Sequence, residues 1–142
     1  MAIIQRKDLY KPSNVQPELF SDFLNDFGIH PIKKDLTRRI NEDAVKQSLR
    51  NIILTRTGER LYNPNFGSQI NSLLFEQFSE TTQSSIKSAI ETAIKNHEPR
   101  ANLIEVRVEG DIDTNSMVVT IIFAVINKEE PVTLQLILNR IR

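Results

Sequence analysis

Glu59, Glu76 and Glu98 fall near expected loops, and two carboxylates set on either side of a glycosidic bond are sufficient for hydrolysis. Each also has a plainer role, as a cap, as the partner of a nearby arginine or as a solvated side chain, and no acid and nucleophile pair marks them as catalytic. His30 and His97 lie far apart, with no HExxH run and no cysteine, so no recognisable zinc pattern exists. The lack of cysteine also removes disulfides, thiolate ligands and thiol nucleophiles. There is no glycine-rich phosphate loop, and Gly67-Ser68 lacks the flanking glycines of a nucleophile elbow. Lys33, Lys34, Arg38 and Arg39 could meet phosphates. Asp35, Glu42 and Asp43 stand beside them, however, without regular aromatic interleaving, and the cluster reads as a solvated turn. No catalytic residue, metal, cofactor or small-molecule substrate is expected.

The chain of 142 residues has room for one ordinary domain. Its 39% hydrophobic and 25% charged residues suit a packed core rather than a disordered polymer. Eighteen basic residues balance eighteen acidic ones, leaving no global field to hold nucleic acid or an anionic membrane. The longest apolar run, Met117 to Ile126, is interrupted by Thr120 and too short to span a bilayer, and the opening MAIIQRKDLYKPS is too weakly apolar for a signal peptide.

The elements that would position any site follow from periodicity. Residues 1–40 read as an arm and turn region, with Pro12, Pro17 and Pro31 spacing a cluster of Leu19, Phe20, Phe23, Leu24 and Phe27 that suits a short amphipathic helix or irregular strands equally. Residues 41–142 read as an α+β domain. Asn41 is placed to cap a helix running to about Thr55, with Glu42 and Asp43 in its first turn and Val45, Leu49, Ile52 and Ile53 on one face. Thr57-Gly58 stops it, and Glu59 to Gly67 must be an ordered loop. A short helix burying Ile70, Leu73 and Leu74 follows. Ser79 then caps a longer one, striped by Ile86, Ile90, Ala93 and Ile94, which ends before Pro99.

Three strands close the chain as a meander, so helices should pack on a small antiparallel sheet. In the first, Ile104, Val106 and Val108 alternate with Glu105, Arg107 and Glu109. The second, Met117 to Ile126, is apolar on both faces, which calls for a cover on its second face, either the N-terminal arm or a protein partner. The third carries Val132, Leu134, Leu136 and Leu138 and lacks the Pro, Lys and Glu that normally blunt a free sheet edge. It is an open template if it lies at the edge and an ordinary strand if it lies centrally.

The run EDAVKQSLRNIILTRTGERLYNPNFGSQINSLLFE, the helix end NHEPRANL and the alternating strands together resemble the sheath-initiating baseplate wedge proteins of contractile phage tails, a family shared with type VI secretion baseplates. The resemblance spans about Asn41 to Ile126. It rests on Gly58, Glu59 and Arg60 with Pro64, Phe66 and Gly67, followed at the right separation by Glu98, Pro99 and Arg100. It implies a non-catalytic structural protein of the virion tail baseplate, assembled in the host cytoplasm and present as six copies around the axis near the tail tube. By the same resemblance its sheet is similar to the inner domain of the sheath subunit. One surface would dock on the wedge core-bundle proteins, and the edge strand Val132 to Leu138 would accept arms from the first ring of tail sheath protein by β-augmentation. Glu98, Pro99 and Arg100 would face the wedge. The rival is that Glu98 and Arg100 pair internally, with Arg60 or Glu59 as further partners. Alternatives are a lysozyme-like peptidoglycan hydrolase of the baseplate, a type VI baseplate subunit, and a monomeric regulator sharing the fold. The joint presence of both motifs favours the baseplate branch over the regulator.

Overall fold

The computed structural model describes residues 17–111, 116–128 and 130–139. In chain order the elements are β1 (Ser21–Phe23), β2 (Arg38–Ile40), α1 (Asn41–Leu54), α2 (Ile70–Leu73), α3 (Glu80–His97), β3 (Ala101–Asp111), β4 (Ser116–Val125) and β5 (Pro131–Asn139). The last three form an antiparallel sheet in the order β3-β4-β5, and the helices cover one of its faces. This is the α+β arrangement that the change of period implies.

Between the layers, Val45, Leu49 and Ile53 of α1 and Ile86, Ile90 and Ile94 of α3 meet Met117, Val119, Ile121 and Phe123 of β4. Strict alternation along β4 puts every second side chain in this core and leaves Val118, Thr120, Ile122 and Ala124 half-buried on the opposite face. Helices thus cover only one side of the doubly apolar strand. The described part of the arm packs with α1 instead of lying over the second face, while residues 1–16 are outside the described region.

The arm's apolar cluster forms no helix: a short strand, β1, runs through it, with Leu19, Phe20, Leu24 and Phe27 in irregular backbone on either side. β1 pairs with β2 in the register Ser21↔Ile40 to Phe23↔Arg38, and a bridge between Ile29 and Leu36 extends the hairpin. At its tip the His30 Nδ1 accepts the backbone N–H groups of Ile32 and Lys33 at 3.3 and 3.2 Å. Lys33, Lys34, Arg38 and Arg39 are all exposed, as a solvated turn requires.

Two local readings need correction. Asn41 is not a side-chain cap: the cap position is Ile40, and Asn41 is a buried residue with φ +50°. Its Oδ1 accepts the Leu19 N–H at 2.8 Å and its Nδ2 donates to the Pro17 carbonyl at 3.1 Å, so the amide clips the arm to the start of α1. An amide that can donate and accept at once is better used on an incoming strand than on its own first turn. The second correction is Ile104, which is 57% exposed. A register shift between Leu103 and Glu105 reverses the alternation there, so that Ala101, Leu103, Val106 and Val108 face the helices instead.

Ser79 caps α3 as its sequence predicts, with Oγ accepting the Thr82 N–H. The Gln83 side chain also donates to the Val108 carbonyl, fixing α3 along β3. At the far end of β3, a Cβ on Gly110 would press into the Phe78 ring. Gly110→Ala is therefore expected to cost about 1–3 kcal/mol by overpacking, measured as a lower urea midpoint with an unchanged m-value.

Candidate functional site

The loop after α1 is built from backbone hydrogen bonds rather than from a regular element. Gly58 adopts φ +89°, and its N–H donates to the Pro64 carbonyl at 2.8 Å, closing the loop on itself. The Glu59 Oε2 turns back to accept the Arg56 N–H at 2.9 Å. Gly67, at φ +113°, lets the returning strand run against Thr55, where the Ser68 N–H donates to the Thr55 carbonyl at 2.9 Å and the Ser68 Oγ to the Ile53 carbonyl at 2.8 Å. Arg60 lies over the Phe66 ring, 3.9 Å from its centroid, and Phe66 meets the His97 ring at 5.1 Å. The loop is thereby attached to the end of α3, where the second motif starts.

At that end Glu98 is buried, yet its carboxylate is fully engaged. Arg100 donates from Nε to Oε1 at 2.7 Å and from Nη2 to Oε2 at 2.9 Å, a bidentate fork. Burial opposes ionisation of Glu98, but the hydrogen bonds from Arg100 and Ser48 and the guanidinium charge outweigh it and hold the carboxyl below its ordinary value. The same fork raises the Arg100 pKa. Arg100 reaches further to Asp22 of β1 at 3.2 Å and lies 5.5 Å from the Phe20 ring centroid, so the arm completes the corner. Pro99 between them is exposed.

The sequence places Glu98, Pro99 and Arg100 together, and the structure shows Arg100 paired with both Glu98 and Asp22. Arg60 and Glu59 are engaged in the loop. The corner's other participants, Asp22 and Ser48, are an ordinary aspartate in an irregular arm and an ordinary serine in a helix; no local sequence signal marks them. Among the described residues no group of three or more His, Cys, Asp or Glu is placed to hold a metal ion. No helix among them is long and apolar enough to cross a membrane.

The strand order puts β5 at an edge. Val132, Leu136 and Leu138 are buried and Leu134 is half-buried, so these four side chains of the edge strand face the core. What the edge offers outward is backbone, together with the exposed side chains of Thr133, Gln135 and Ile137. β3, the opposite edge, is guarded: Arg107 is paired with Glu105 at 2.8 Å beside exposed Glu109. β5 contains no charged residue between Pro131 and Asn139.

Residues 40–130 match the family model for the baseplate wedge protein gp25. The baseplate wedge protein gp25 of Enterobacteria phage T4 is 33% identical over 120 residues, covering 84% of each chain. This chain belongs to the baseplate wedge protein gp25 family. It is a structural component of the baseplate of a contractile tail, located in the virion. Solved structures show the same fold. A proposed tail lysozyme from Geobacter sulfurreducens superposes with TM-score 0.67 at 24% identity, covering 71% of this chain and 92% of that one. A chain of the anti-feeding prophage baseplate does so with TM-score 0.61 at 21% identity, covering 87% of each. A chain of a type VI secretion baseplate complex has TM-score 0.54 at 15% identity, covering 68% of this chain and 92% of that one. In this member of the family, the two motifs meet at the end of α3, joined by the Phe66–His97 contact.

Proposed function

We propose that this baseplate protein docks on the wedge core bundle through the corner at Glu98, Pro99 and Arg100, and nucleates the tail sheath by presenting the β5 edge to arms of the first sheath ring. The observation that carries the reading is the contrast, among the described residues, between a β5 edge with no charged residue after Pro131 and a charged β3 edge in the same sheet. A free sheath subunit loses translational and rotational freedom that one strand contact barely offsets, whereas a ring of six fixed edges supplies several neighbours at once. Sheath growth then starts only at the baseplate. The Glu98–Arg100–Asp22 network sets the shape of the docking corner, leaving Pro99 and the outer side of the guanidinium for the wedge.

The role is structural rather than catalytic. A general acid needs a raised pKa, and Glu98 has the opposite shift because Arg100 holds it ionised, while the Glu59 carboxylate is bound to its own loop. Purified protein is expected to leave the turbidity of a peptidoglycan suspension unchanged. Clearing that disappears in Glu59→Gln, Glu76→Gln or Glu98→Gln would make it a hydrolase.

Docking is tested by co-purification with wedge proteins. Pro99→Lys, at the exposed position that leaves the Glu98–Arg100 fork in place, should remain folded by circular dichroism and be lost from the wedge at least tenfold, whereas normal incorporation would exclude the corner as the docking site; Arg100→Ala would instead strand the buried Glu98 carboxylate. Sheath nucleation is tested separately by charging the outward positions of β5, as in Thr133→Lys with Gln135→Lys. Deleting β5 would also remove buried Val132, Leu136 and Leu138 and so confound an open edge with a lost core.

A further inference from the structure

The loop Gly58 to Gly67 takes no part in the edge or the fork, yet it is held by the Gly58–Pro64 and Thr55–Ser68 backbone bonds and by Arg60 stacked on Phe66. At its tip Leu61 and Tyr62 are 92% and 102% exposed. A tightly ordered loop that holds two large apolar side chains fully in water is built as a preformed anchor, since interface energy concentrates in such aromatic and aliphatic residues. Beside the tip, Arg60 also lines an open hollow of about 460 Å³ whose walls include Phe23, Phe27 and Leu54. Knob and hollow therefore share Arg60 as their common border.

The charge around this surface favours one sign of partner. Arg60 lines the hollow and exposed Arg56 follows its wall residue Thr55, against exposed Asp26, between the wall residues Asn25 and Phe27, and Glu59, whose Oε2 is turned back on the Arg56 N–H. We infer that the Leu61–Tyr62 tip and the adjoining hollow form a second docking surface, for a protein component of the same baseplate whose apolar cleft is bordered by carboxylates facing Arg60 and Arg56. This deepens the wedge-docking reading by adding a partner contact that the corner does not supply. Phe66 against His97 ties the loop to the end of α3, next to the corner.

The test uses the full chain in a baseplate wedge reconstituted from purified components. Leu61→Ala with Tyr62→Ala should leave the Tm unchanged and reduce incorporation at least tenfold, and Arg60→Glu should reduce it too. Incorporation of the double variant at the wild-type level would overturn the inference. In a second measurement, Tyr62→p-benzoylphenylalanine is photolysed in the assembled wedge. A crosslink to an apolar segment flanked by Asp or Glu in another component supports the surface. A crosslink to a second copy of this chain, to a basic segment, or to nothing contradicts it. If Pro99→Lys incorporates normally while the Leu61/Tyr62 variant does not, the corner reading fails and the loop surface stands; the converse pattern removes the loop alone.

Discussion

Gly67→Ala is expected to cost about 4 kcal/mol, combining backbone strain of about 1–3 kcal/mol with overpacking of about the same size. At φ +113° an L-residue is strained whatever space surrounds it, and here a Cβ would also lie 2.5 Å from the Thr55 carbonyl oxygen. That oxygen is the acceptor for the Ser68 N–H, so relieving the clash means breaking the bond that closes the loop on the end of α1. The Tm should fall by about 8–16 °C at roughly 2–4 °C per kcal/mol. Gly58→Ala should cost less, about 1–2 kcal/mol, because its φ is also positive but no atom lies within 4 Å of the added Cβ. Equal effects at the two glycines would show that close backbone approach at Gly67 is unimportant.

Glu98→Ala should cost about 2–3 kcal/mol at pH 7, toward the low end for breaking a buried ion pair. Arg100 keeps Asp22 and is partly exposed, so the guanidinium left behind is not stranded. Because the folded pKa of Glu98 is depressed, the stabilisation is fully present above the unfolded-state value near pH 4. It is lost as the pH falls through the lower folded value. Glu98→Gln keeps the shape and one acceptor, costs about 1–2 kcal/mol at neutral pH, and removes this contribution to acid sensitivity. Urea denaturation of both proteins from pH 7 to pH 3 should show the curves converging as the pH falls; a constant gap would mean that the fork does not stabilise the fold through its charge.

The helices and the final meander are legible because their periods differ and each has local punctuation: Ser79 before α3, Pro99 after it, and apolar alternation in β3 and β5. Ile104 breaks its pattern because a bulge shifts the pairing by one residue, a tertiary event that strict alternation cannot encode. Asn41 is at a helix start, where capping is the usual role of its type, and only the arm's position shows that its amide binds the Pro17–Phe20 backbone instead. The arm itself has apolar spacing compatible with helix or strand, and the choice is made by pairing with Arg38–Ile40. Of the corner, Glu98 and Arg100 are recognisable as a unit because they flank a proline at a helix-to-strand junction. Asp22 is 78 residues from Arg100, a separation at which no local pattern carries the contact. The edge position of β5 likewise depends on strand order, and its apolar residues alone describe a buried face as well as they describe an edge.

The most direct measurement is sheath nucleation on wedges reconstituted with wild-type protein or with the Thr133→Lys, Gln135→Lys variant, counted by electron microscopy as baseplates bearing sheath. Both positions face away from the core, so the variant should fold and enter the wedge normally. If the β5 edge templates the first ring, baseplates carrying the variant should remain bare while wild-type baseplates grow sheath. Equal sheath on both would contradict an edge-strand template.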